Sequence, residues 1–250
     1  MAKHVLITGA SAGIGERLAH EFTRRGYAVG LVARRAPELE RVAEDLRAQG
    51  GEVAWRQADV TDLQGLTAAV HELEGELGPC EVLVANAGVI GRYSARKHDA
   101  AMASWMMRIN YEGAVNSVDA VLGGMLERGA GRLVVVSSVA GYRGLPKMQA
   151  YSASKAAVSN YWEGLRVELG PKGIACTAIH PGFIKTAMTE ENDKPMPFLR
   201  HVDEVVPGMV DAIERGTRHY ATPWPMACMM ALTRALPPWL YDPALRLSGM

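Results

Sequence analysis

From His4 to about Thr222, short apolar runs alternate with longer segments whose apolar residues recur at helical spacing. A short apolar run bounded by turn residues reads as a buried strand, and recurrence every three to four positions reads as a helix with one face on a core. The predicted strands are Val5–Thr8, Ala28–Ala33, Val53–Ala58, Val82–Ala85, Arg132–Ser137, Ile174–His180 and His219–Ala221. Leu39, Val42, Ala43 and Leu46 show the helical spacing between the second and third of them. Such alternation predicts the α/β class: a doubly wound parallel sheet of about seven strands with helices on both faces. No internal repeat and no shift in composition marks a second domain, so residues 1–250 are expected to form one.

The pattern changes after Thr222. Prolines bracket an expected helix, Met226–Leu236, that is apolar on nearly every side, and residues 223–250 form an apolar C-terminal extension. Eleven residues would extend about 16 Å, short of the roughly 30 Å hydrocarbon core, so this helix cannot span a membrane. It needs cover, and the expected cover is a second subunit in a homodimer or homotetramer, or the substrate pocket as a lid. Shallow membrane attachment ranks second because no lysine and arginine cluster accompanies the helix.

Composition narrows the classes of function. Lysine plus arginine and aspartate plus glutamate each number 27, so no net field draws in nucleic acid or another polyanion. Cys80, Cys176 and Cys228 are odd in number and far apart, without a Cys-x-x-Cys pair, which argues against a disulfide framework or a metal site. All three are read as small buried apolar residues. The first strand opens after three residues, leaving no room for a signal peptide, and the expected location is cytoplasmic.

Chemistry enters at the ends of the strands. Thr8-Gly9-Ala10-Ser11-Ala12-Gly13-Ile14-Gly15 follows the first strand and opens an expected helix, Glu16–Arg25. Glycines at such a turn let the backbone approach a pyrophosphate, whose charge meets the free N–H groups and the positive end of the helix dipole. Ser138 ends the fifth strand, and Tyr151 and Lys155 follow thirteen and seventeen residues later, four apart on an expected helix. A tyrosine can give or take a proton at a carbonyl or alcohol oxygen, and an ammonium one helical turn away can stabilise its phenolate. A second pair, Tyr93 and Lys97, lacks a serine thirteen residues upstream and is read as loop.

Glycines, serine, tyrosine and lysine in this order and spacing resemble the short-chain dehydrogenase/reductase family, up to about residue 187. Asp59-Val60, Asn86-Ala87-Gly88, Asn110 in the following long helix, and Pro181-Gly182 with Thr186 also fit its pattern. The resemblance implies a Rossmann-like fold and hydride transfer between a nicotinamide cofactor and a carbonyl or alcohol substrate. It implies that Asp59 and Val60 contact the adenine, Asn86 the neighbourhood of the ribose, and Ile184 with Thr186 the carboxamide. It makes Ser138, Tyr151, Lys155 and Asn110 the catalytic set, with Lys155 also on the nicotinamide ribose and Asn110 holding a water on a proton path. Residues 183–205 correspond to the segment that folds over the substrate. Phe183, Met188, Met196 and Phe198 there suggest an apolar pocket, while Met102, Met106 and Met107 are read as core.

The end of the second strand bears on the cofactor. Enzymes preferring NAD place an acidic side chain there, whereas this chain has Leu31-Val32-Ala33-Arg34-Arg35. Ala33 stands at the acid's position, and the Arg34 guanidinium suits a 2′-phosphate, so NADP(H) is the expected cofactor. Arg35 is read as a solvated arginine opening the next helix. The competing expectation is a non-catalytic NADP(H)-binding regulatory or scaffold protein of the same fold, and the intact catalytic set favours the enzyme.

Overall fold

The computed structural model describes residues 2–91, 95–186, 189 and 196–247. Seven strands, β1 (His4–Thr8), β2 (Ala28–Ala33), β3 (Val53–Gln57), β4 (Cys80–Ala85), β5 (Gly131–Val136), β6 (Ile174–Pro181) and β9 (His219–Thr222), form one sheet. Its order is β3-β2-β1-β4-β5-β6-β9, and every pair is parallel. Parallel neighbours require crossovers, and the amphipathic segments supply them as helices. These are α1 (Gly13–Arg24), α2 (Ala36–Ala48), α3 (Leu63–Leu77), α4 (Ala100–Met107), α5 (Gly113–Arg128), α6 (Gln149–Leu169) and α7 (Val202–Glu214). The family-type α/β sheet expected from the apolar runs is therefore present, with each predicted strand in place.

Both faces are covered. On one, Leu6, Leu66, Leu73, Leu83, Val118, Leu133, Val158 and Trp162 bring α3, α5 and α6 onto the sheet. On the other, Val5, Ile7, Leu18, Phe22, Leu31, Leu39, Val210 and Ile213 bring α1, α2 and α7. Every residue of β1 and β2 is buried, which is why these runs read as continuously apolar and do not alternate.

Four details differ from the sequence reading. The helix after the glycine loop starts at Gly13, three residues early, so the last two loop glycines lie in its first turn. The long helix holding Asn110 is interrupted: α4 passes into α5 through a π-helical turn, Arg108–Glu112. A two-stranded parallel ladder, β7 (Ile184–Lys185) with β8 (Arg200–His201), brackets the expected substrate segment. The C-terminal extension forms two helices, α8 (Trp224–Ala235) and α9 (Pro238–Leu247), where one was expected. The proline pair at 237–238 ends one and starts the other, as proline does at a helix N-terminus.

Cys80 and Cys176 are buried, whereas Cys228 is exposed on α8, against the expectation that all three are core. That helix is apolar around its circumference, and periodicity could not say which side faces inward. Met106 is fully buried, in keeping with its reading as core.

Candidate active site

Because all seven strands are parallel, the segments after β1, β2, β4, β5 and β6 leave from one rim of the sheet, where ligands of open α/β folds collect. The first of these is the glycine loop. Gly9 has φ +67°, and a Cβ there would stand 2.7 Å from the Ala87 Cα; at Gly15 a Cβ would stand 2.4 Å from the Gly9 carbonyl oxygen. No other residue fits so tight a turn. Asn86 braces it from β4, its Nδ2 donating to the carbonyls of Thr8 (3.0 Å) and Gly9 (3.1 Å). The Thr8 hydroxyl in return accepts from the backbone N–H groups of Asn86 and Ala87.

Ala12, before α1, offers no side-chain acceptor to the first turn, as is true before α2, α6, α7 and α8 also, whereas Asp62 and Asp99 cap α3 and α4; what sets α1 apart is the glycine loop that leads into it. First-turn N–H groups and the dipole of α1 are left for an anion, and Gly13, at φ +60°, brings no side chain into the space before them. The loop residues Gly9, Ser11, Gly13, Ile14 and Gly15 thus fit a pyrophosphate by geometry.

Arg34 and Arg35 lie just beyond β2, both with half-exposed side chains. Arg34 reaches to 3.7 Å from a carboxylate oxygen of Asp59, whose other oxygen accepts from the Thr61 N–H and hydroxyl. Burial would raise the Asp59 pKa, but the Thr61 bonds and the Arg34 charge overcome it and hold the carboxyl below its ordinary value. Arg35 corrects the sequence reading. Its guanidinium donates to the Ser11 hydroxyl at 2.9 and 3.3 Å, tying the end of β2 to the glycine loop while also pairing with Glu38. Two guanidinium groups, not one, therefore flank this end of the cleft. Val60 is buried beneath, against Gly113 of α5, and its carbonyl accepts from Asn116.

Ser138, Tyr151, Lys155 and Asn110 converge where β5 meets α6. Ser138 is buried; its hydroxyl accepts from the Ala140 N–H (3.1 Å) and donates toward the Pro181 carbonyl (3.3 Å). Neighbouring Ser137 is turned instead to α6, bonded to the Lys155 carbonyl and Ser159. Asn110 is 1% exposed and fully engaged: its Oδ1 accepts from Val89 N–H (2.7 Å), and its Nδ2 donates to the Val89 carbonyl and to Ser154 (both 2.9 Å). The π turn is what lets this side chain face the β4 loop, a common use of such turns. Ser154 continues to the Tyr151 carbonyl, so Asn110 is linked to the first turn of α6.

Lys155 departs from the expected arrangement. Its ammonium donates to the Val136 carbonyl at 2.9 Å and lies 5.9 Å from the centre of the Tyr151 ring. Burial lowers its pKa to about 8, and burial also raises that of Tyr151, with the Ser138 hydroxyl working the other way. The phenol is a protonated donor at neutral pH, as an ordinary tyrosine is, and burial reinforces that state. Gly88 leaves room beside the pair, since a Cβ there would lie 3.2 Å from the Lys155 Nζ and 3.3 Å from the Asn110 Oδ1.

On the opposite wall, Ile184 is buried, and Thr186 closes a turn with Thr189, whose hydroxyl accepts from the Thr186 N–H and donates to the Ile184 carbonyl. Gly182 bonds the Thr222 carbonyl at 2.7 Å. Of the expected pocket residues, Phe183 joins an apolar cluster with Val139, Tyr142, Leu145, Met226 and Met230. Phe198 is instead exposed, and Met188 and Tyr93 lie outside the described residues. Sequence reasoning offered a second subunit or the substrate pocket as cover for helix α8, and within the chain Met226 and Met230 pack on the pocket side. Among the described residues no group of acidic, histidine or cysteine side chains could hold a metal ion.

The family profile described as short chain dehydrogenase matches residues 3–197. An uncharacterized oxidoreductase of Myxococcus xanthus is 39% identical over 241 residues, 96% of this chain and 95% of the relative. A dehydrogenase/reductase SDR family protein 7-like from Drosophila melanogaster is 37% identical over 75% of this chain and 59% of its own length. Among solved structures, a variant of actinorhodin polyketide ketoreductase with NADPH superposes with TM-score 0.82 at 28% identity, over 88% of this chain and 95% of that one. An alcohol dehydrogenase from the archaeon Thermococcus sibiricus, complexed with 5-hydroxy-NADP, gives 0.79 at 26% identity over the same shares. The chain belongs to the short-chain dehydrogenase/reductase family, and it is an oxidoreductase of that family.

Proposed function

We propose that the protein is an NADPH-dependent reductase of ketones or aldehydes with an apolar body, working as an alcohol dehydrogenase when run backward. The observation that carries this reading is the junction of buried Ser138, Lys155 and Asn110 with half-buried Tyr151 beside a glycine loop shaped for pyrophosphate. Gly9, Ser11, Gly13, Ile14 and Gly15 would hold the phosphates, Asp59 and Val60 the adenine, and Asn86, Ala87 and Gly88 the region of the riboses. Pro181, Gly182, Ile184 and Thr186 would form the nicotinamide side. When bound, NADPH supplies the hydride. Arg34 favours its 2′-phosphate, Arg35 steadies the glycine loop through Ser11, and the lack of an acid at Ala33 disfavours NADH.

The side chains then divide the proton chemistry. As the substrate carbonyl gains negative charge, the Tyr151 hydroxyl gives its proton to that oxygen, and the Ser138 hydroxyl donates a second hydrogen bond that fixes its approach. Raised by burial, the Tyr151 pKa suits donation, and hence reduction, better than abstraction. Lys155 stands ready to re-protonate the site with the two N–H donors not given to Val136, and Asn110 holds the wall from which a water could feed it. The apolar neighbours Val139, Phe183, Met226 and Met230 keep bulk water from the reacting carbon.

A homodimer or homotetramer in the cytoplasm belongs to the same proposal. Exposed Trp224, Leu232, Trp239 and Leu240 are the kind of surface that assembly covers, and no helix among the described residues is long and apolar enough to cross a membrane. The deciding experiment follows NADPH absorbance across a panel of ketones and aldehydes, with Tyr151→Phe as control. The variant should lose about 10² to 10⁴ in rate and still bind NADPH. NADPH binding without turnover of any carbonyl by the wild type would instead favour a non-catalytic role.

A further inference from the structure

The segment between Ser138 and Tyr151 is fastened to the C-terminal extension of the same chain. Arg143 donates through one nitrogen to the carbonyls of Thr233 and Leu236, the latter at 2.6 Å, with the Arg234 carbonyl at 3.5 Å. Thr233 and Arg234 stand in the last turn of α8 and Leu236 just beyond it; the Thr233 carbonyl also accepts from the Leu236 N–H, and at this negative end of the helix dipole the guanidinium adds a cap supplied from another part of the fold. Its flat face lies over the Tyr241 ring of α9, 3.7 Å from the centre, and the Tyr241 hydroxyl donates to the Gly144 carbonyl at 2.6 Å. Arg143 makes no ion pair with a carboxylate among the described residues; its partners are carbonyls and a ring.

What this clasp holds is one wall of the pocket. α8 turns Met226 and Met230 inward against Val139, the residue after Ser138, and against Phe183. Gly182 permits the approach, since a Cβ there would come 2.5 Å from the Met226 sulfur. Two methionines are a small anchor for a helix whose Trp224, Met229 and Leu232 face outward. Thioether side chains adapt their shape readily, so they leave the position of the wall to something stiffer. Arg143 spans from the loop next to the catalytic serine to the far end of that wall.

Resting on the reductase reading, we propose that Arg143 is a positioning residue that sets substrate specificity. By capping α8 and stacking on α9 it holds Met226 and Met230 at a fixed distance from Ser138 and Tyr151, and so selects uncharged carbonyl compounds whose apolar body reaches that wall. It touches neither the reacting carbon nor the cofactor.

The test compares butanone with a long-chain methyl ketone, which share a reacting group and differ in reach. Arg143→Ala should lower the ratio of kcat/KM for the long ketone over butanone about 10-fold, the size expected on losing one charged hydrogen-bonded group, and the change should lie in KM. Arg143→Lys keeps a charge to cap the carbonyls but not the stacking face, and should recover part of the ratio. Amide hydrogen exchange over residues 226–236 should rise in Arg143→Ala and fall back in Arg143→Lys. Equal loss on both ketones or unchanged exchange in α8 would each overturn the proposal. The exchange measurement needs no turnover, so a wild type inactive on every carbonyl would defeat the reductase reading and the specificity claim while the clasp is still decided on its own.

Discussion

The glycine loop after β1 and the C-terminal helix α8, which packs on Val139 and Gly182, are held in opposite ways. In the loop the backbone is the working part: Gly9 and Gly15 leave no room for a methyl group, and Asn86, at the end of the adjacent strand β4, pins two carbonyls. At α8 the backbone is remote, and contact is made by Met226 and Met230 with a single arginine as clasp. A floor of this kind tolerates one ligand shape, whereas a wall of this kind can be re-set by changing a few side chains. One cofactor and many substrates is the division such construction suits.

The contrast is tested most severely at Lys155, on the floor side. Lys155→Met should cost about 10² to 10⁴ in rate. Its pKa falls from 10.5 to about 8 on folding because of burial. A lysine with a lowered folded pKa weighs against the native state, since the unfolded chain binds the extra proton between those two values. Wild-type stability should therefore rise with pH from about 8 to 10.5, and the cost is fully present below pH 8. Removing the charge should stabilise the protein at pH 7 by about 1–2 kcal/mol, roughly 3 from the shift less the lost bond to Val136. Urea titrations of both proteins at pH 7 and pH 10 measure this; a variant less stable at pH 7 would contradict it.

A smaller effect separates the two arginines. Arg34→Ala should raise the NADPH dissociation constant roughly 10- to 150-fold and leave NADH nearly unchanged, the cost of a charge-assisted bond to phosphate. Arg35→Ala, which frees Ser11 and the glycine loop, should weaken both cofactors. Fluorescence titrations with each nucleotide distinguish these outcomes, and equal losses in Arg34→Ala would show that it serves the loop and not the phosphate.

The smallest effect is expected on the outer side of the wall. Leu232 is 67% exposed, so Leu232→Gln should change the stability of an isolated chain by no more than about 0.5 kcal/mol. If a second subunit covers this face, the same substitution should lower the oligomeric mass in light scattering. A change in neither mass nor stability would leave α8 serving its own pocket alone.

The strands were legible because each is a short run bounded by turns, with β1 and β2 buried throughout, and the glycine loop because its backbone conformation admits so few residue types. Contacts between distant side chains left no such trace. Arg35 reads as a solvated charge until the fold brings Ser11 to it, and Asn110 reads as a helical residue because a shift from one hydrogen-bond period to another changes no composition. The rotation of α8 was illegible for a different reason: a helix apolar all round carries no moment to say which side is inside. Lys155 was placed in the right neighbourhood, but its bond to Val136 depends on a carbonyl, which every residue has.

Strand order has a consequence for synthesis. β1, β2 and β3 are contiguous in the chain and adjacent in the sheet, and β4 then adds to the free side of β1. A ribosome that has released the chain as far as β4 has already delivered the glycine loop, its Asn86 brace and both arginines. β9 and α8 come last, laid against β6 at the far edge. The half of the expected nucleotide site that would face phosphates and adenine is thus synthesised first, the half at Pro181, Gly182, Ile184 and Thr186 follows with β6 and β7, and the wall that a substrate would meet is made last.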